Sequence, residues 1–79
     1  MGYRYNIEYF SSKTWGMRPF PMYEQATAFA DSLSDYCSYI IFDGKIQRVL
    51  AYRNTGDLLD NHQFFGLIRD IESAKKRFV

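Results

Sequence analysis

The chain has 79 residues, is 47% hydrophobic and 19% aromatic, and carries a formal net charge of +1. That length makes one domain, and so many rings exclude a chain disordered throughout, since each aromatic buries about 150–250 Å². A single cysteine, Cys37, excludes a small fold stapled by internal disulfides.

Tyr3 to Phe10 alternates. Tyr3, Tyr5, Ile7 and Tyr9 point one way and Arg4, Asn6 and Glu8 the other, which predicts a half-buried strand. Ser11-Ser12-Lys13 reads as a turn. Residues 14–20 read as an edge strand or an ordered loop, because Gly16 and Pro19 weaken a central strand. Pro21 suits the first turn of a helix. Met22 to Tyr36 follows at helical spacing, with Met22, Ala26, Phe29, Ala30 and Leu33 on one stripe and Glu24, Ala28, Asp31 and Asp35 on another face.

Residues 37–42 and 46–53 flank Asp43-Gly44, a strong hairpin signal. A two-residue loop pairs Ile41 with Ile46, Tyr39 with Arg48 and Cys37 with Leu50; a three-residue loop through Lys45 shifts that register by one. From Asp60 the pattern is helical to near the end, and Asp60 with Gln63 resembles a capping box. Phe64, Ile68, Ile71, Lys75 and Phe78 share a face, with Leu67 and Ala74 beside it. The fold class expected is α+β: a single small domain, with an antiparallel sheet of three to four strands and both helices packed on one face, in the order β-(β)-α-β-β-α.

The charge is uneven. Segments 1–21 and 37–56 hold six cations against two acids, or +4; segments 22–36 and 57–79 hold four against seven, or −3. Nine of the fifteen aromatics lie in the first set, and Arg mixed with Tyr and Trp is the composition of binding hot spots. Arg4, Trp15, Arg18, Tyr39, Arg48, Tyr52 and Arg53 are therefore the candidate partner-binding residues, on a sheet side left open by the helices. The structural alternative is that most of these tyrosines belong to the core.

Catalytic chemistry finds little footing. His62 is the one histidine, without the further ligands a metal site needs. Cys37 reads as a buried, inert thiol. Asp31 and Asp35, four apart, read as a solvated helix face. The glycines make no phosphate-binding loop. Gly66 stands inside a helix on the His62/Arg69/Asp70/Ser73 face, either as tolerated drift or as a place where another backbone approaches. Lys75-Lys76-Arg77 reads as a helix-end charge run. Neither enzymatic activity nor any cofactor or metal is expected.

Three readings of function follow. The first is a protein-binding module for a larger protein or ribonucleoprotein. The second is a single-stranded nucleic-acid binder, with Tyr3, Tyr5, Tyr39 or Tyr52 stacking on bases and Arg4, Arg48 and Arg53 on phosphates; a pI near 7.8 argues against it. The third, a small enzyme, lacks the partners a site requires. The Met22–Tyr36 helix leading into Cys37–Arg53 around Asp43-Gly44, with small size and one cysteine, resembles small phage-encoded accessory proteins of the anti-CRISPR type. That resemblance implies an inhibitor that blocks a CRISPR effector complex by surface occlusion; near neutrality argues against DNA mimicry. With no apolar run of about 18–20 residues and no secretion signal at Met1–Tyr5, no membrane association is expected. The expected location is cytoplasmic, in the host bacterium if the chain is phage-encoded. Asn6 stands where a myristoylated chain would want a hydroxyl residue.

Overall fold

A computed structural model of the chain describes residues 3–73. It contains β1 (Tyr5–Phe10), β2 (Trp15–Phe20), α1 (Tyr23–Ser32), β3 (Ser38–Asp43), β4 (Arg48–Arg53) and α2 (Asn61–Ser73). The four strands form one antiparallel sheet in the order β2-β1-β3-β4. The α+β class and the element order are as the sequence predicts. Of residues 14–20, Trp15–Phe20 form an edge strand, where Pro19 removes a donor at little cost.

The placement of the helices corrects the expectation. Because β2 and β3 both run antiparallel to β1, α1 is a crossover that spans the sheet between them. It packs Ala26 and Ala30 against Ile7 and Ile41, with Phe20, Phe29 and Leu33 around them. The next residues along β3 point the opposite way: Ile40 and Phe42, with Phe10, meet Phe64 and Ile71 of α2. The helices therefore cover opposite faces, and the domain has three layers, with β3 buried on both sides. No sheet face is left whole and open. Instead each helix leaves an edge strand partly bare: α1 lies over β1, β2 and β3, while α2 lies against β4 and the centre of the sheet.

The hairpin register is also corrected. Asp43 pairs with Arg48, Ile41 with Ala51 and Tyr39 with Arg53, so the loop holds four residues, 44–47, and a bulge falls beside Ile41/Phe42. The cause is the Asp43 side chain. It is buried, takes Arg4 in a forked pair (Nε to Oδ1 3.0 Å, Nη2 to Oδ2 2.9 Å), and accepts the Lys45 backbone N–H at 2.9 Å. The loop wraps over that carboxylate, with Gln47 in the left-handed region (φ 58°) and its amide donating to the Gly44 carbonyl. A two-residue turn would leave no chain to do so.

The first helix ends four residues earlier than its apolar spacing suggests, so Asp35 is not on a helix with Asp31. Arg53 explains the stop: its guanidinium donates to the carbonyls of Ser34 (2.8 Å) and Cys37 (2.6 and 3.0 Å), which fixes an irregular connection. Met22 is the N-cap residue and is extended, so Pro21 precedes the helix instead of opening it. The second helix opens as predicted. Gln63 N–H donates to Asp60 Oδ1 (2.7 Å) and Asp60 N–H to Gln63 Oε1 (3.1 Å), a reciprocal capping box. Lys75, Lys76, Arg77, Phe78 and Ala74 lie outside the described residues.

Candidate functional site

The seven candidate residues do not gather into one patch. Arg4 is spent on Asp43, and Arg53 on the two carbonyls while lying 5.2 Å over the Tyr39 ring, which is half-buried in the α1 layer. Arg18 lies across Phe20 and Phe29, 5.1 Å from the latter, roofing the same layer. These are cation–ring contacts that hold the fold. Arg48 is exposed, beside Asp43 in the sheet register and so on the α1 side. Trp15 and Tyr52 lie on the other side, level with Phe10 and Ile40 respectively.

Trp15 is 61% exposed, and its ring covers Glu8, to which Nε1–H donates at 3.0 Å. Glu8 is buried because β1 is central and covered from both sides, which the alternating pattern did not foretell. Gly16 beside it has a structural reason. The Tyr9 ring lies directly on its Cα, where a Cβ would collide, and Phe29 holds that ring edge-on at 5.3 Å.

The most site-like arrangement lies on the α2 side of β4. Tyr52 and Phe65 form a T-shaped pair with centroids 5.3 Å apart, and buried Phe64 lies 5.8 Å from each ring. Both outer rings stay open, Tyr52 at 50% and Phe65 at 44%, and exposed Leu50 lies two residues before Tyr52. From Phe65 a shallow depression of about 300 Å³ runs along α2, lined by Asn61, His62, Phe65, Gly66 and Arg69. His62 is exposed there. Sequence reasoning passes over Phe65. It belongs neither to the apolar stripe nor to the polar face, and an aromatic left over by both assignments is the signal available.

Among the described residues, no group of three or more His, Cys, Asp or Glu is placed to hold a metal ion, and no helix is long and apolar enough to cross a membrane. Cys37 is buried and unpaired. The Arg4 guanidinium, helped by backbone N–H groups of Lys45 and Ile46, holds the Asp43 carboxyl below the usual carboxylate range against the opposing effect of burial. This perturbation belongs to the hairpin and not to the depression.

Taken together, the layers and the open ring pair define a small α/β/α three-layer domain with an antiparallel sheet and an aromatic flank. Compared with known protein families, curated proteins and solved structures, the chain finds no match in any of the three.

Proposed function

We propose that this is a non-enzymatic protein-binding module that docks through the Tyr52–Phe65 flank of β4 and α2. The observation that carries the proposal is the ring pair itself: two large aromatics, each about half exposed, braced from beneath by a buried third. Rigid rings with few rotatable bonds lose little entropy when covered, which is why such residues dominate binding energy. Exposed apolar side chains occur elsewhere on the chain, and what sets these two rings apart is that they adjoin each other over a buried third.

The nucleic-acid reading has less to draw on. Arg4 and Arg53, two of the cations assigned to phosphates, are engaged within the chain, and Tyr39 lies beneath Arg53. The resemblance to anti-CRISPR proteins supplies one specific partner, a bacterial CRISPR effector blocked at its surface.

The experiment adds the purified domain to an effector cleavage assay and, in parallel, to a labelled single-stranded oligonucleotide at low salt. Stoichiometric loss of cleavage that Tyr52→Ala and Phe65→Ala relieve supports occlusion through this flank. Full cleavage at excess domain removes the effector as partner. Oligonucleotide retention that falls steeply with salt replaces protein docking with nucleic-acid binding.

A further inference from the structure

The depression beside Phe65 has a chemistry of its own. Among the described residues its polar lining consists of Asn61, His62 and Arg69, with no carboxylate. Arg69 makes no ion pair among the described residues, in contrast to Arg4, so its guanidinium is free to receive an acceptor. Of the acids near it, Asp60 is occupied by the cap of α2 and Glu72 accepts the Val49 backbone N–H, while Asp70, exposed on the same helix face, stands outside the lining. Arg69 and His62 lie two turns apart on one helix face, with Gly66 between them and Phe65 at the border.

Gly66 is the second observation. Glycine inside a helix is unfavourable, and here nothing among the described residues calls for it: a Cβ at this position would meet none of their atoms within 4 Å beyond its own stretch of helix. Gly16 is the contrast, where the Tyr9 ring forbids a side chain. A helix glycine that the fold does not need, at the floor of a depression flanked by free donors and an open ring, suits a backbone arriving from outside.

Resting on the docking proposed above, we infer that the partner presents an acidic segment with a large apolar side chain, which crosses α2 at Gly66. The apolar side chain packs on Phe65 and Tyr52, and the carboxylates face Arg69 and His62. Charge complementarity selects this occupant over a basic or neutral segment.

The test pans a random dodecapeptide display library on the intact chain and on three variants, each checked for folding by circular dichroism. Enrichment of peptides with Asp or Glu beside Leu, Phe, Tyr or Trp, weakened about tenfold or more by Arg69→Glu, supports the inference. Gly66→Ala is expected to leave the domain at least as heat-stable while weakening the same peptides. Unchanged binding to that variant overturns the crossing at Gly66. Peptides that are basic, or that ignore Arg69→Glu yet are lost with Phe65→Ala, overturn the acidic partner and leave the docking flank standing. The absence of any enrichment sensitive to Phe65→Ala overturns the flank itself, and the acidic partner with it.

Discussion

At the scale of single residues, the cations divide by what they touch. Arg4 and Arg53 stand at opposite ends of the sheet and do similar work, closing loops by donating to buried acceptors. For Asp43 the pH dependence has a definite sign. Its folded pKa is depressed below the unfolded value of about 3.9. The stabilisation is therefore complete above that value and is lost as the pH falls through the depressed folded one. Asp43→Asn should cost about 1–3 kcal/mol near neutral pH, because the loop loses its charged acceptor. Thermal unfolding from pH 7 to 2 should show the gap between the two proteins narrowing below about pH 4; a gap that stays constant would contradict the account. Gly16→Ala should destabilise by about 1–3 kcal/mol, since the Tyr9 ring is pinned by Phe29 and has little room to yield. Urea unfolding measures it directly, and an unchanged midpoint would show that the ring moves aside.

At the scale of elements, legibility in the sequence depends on whether the deciding contact is local. The Asp60/Gln63 box is local, and it forms as its spacing predicts. Asp60→Ala should accordingly cost about 0.5–2 kcal/mol, seen as a lower midpoint in urea. The hairpin register is not local. It is set by Arg4, 39 residues away, which draws Asp43 out of a simple turn. The helix placement is misread in the sequence because two patterns compete for it. Tyr39-Ile40-Ile41-Phe42 is an unbroken apolar run, the pattern of a strand covered on both faces, whereas β1 shows the alternation of a half-buried one. The run is the better guide, because a strand covered on both faces requires a helix on each side. It also implies a buried Glu8, since β1 pairs with β3 and lies under the same two layers.

At the scale of the whole molecule, a three-layer arrangement changes where a partner can bind. With both helices on one side, the Tyr- and Arg-rich sheet would have formed a broad open face. With one on each side, Tyr39 and three of the four candidate arginines are turned to structural use, and the open aromatics are dispersed: Tyr3 before β1, Trp15 on β2, Tyr36 after α1, and Tyr52 with Phe65, the one adjoining pair among them, on β4 and α2. Of the sequence-derived site, Tyr52 is central to the flank proposed here; Phe65 and Arg69 join it only because α2 packs alongside β4. No local pattern connects residues 13 and 17 positions apart on different elements.

The most direct measurement pairs stability with binding in the Tyr52→Ala/Phe65→Ala double variant. The domain and its variant are unfolded by heat and, at equal concentration, used to capture proteins from a bacterial lysate for quantitative mass spectrometry. If the rings are a docking surface, the variant still unfolds cooperatively, its midpoint lowered by about 4–8 °C for each kcal/mol of lost ring packing, while specific captured proteins disappear. A collapse of the fold, or a capture profile identical to that of the parent chain, would contradict the account.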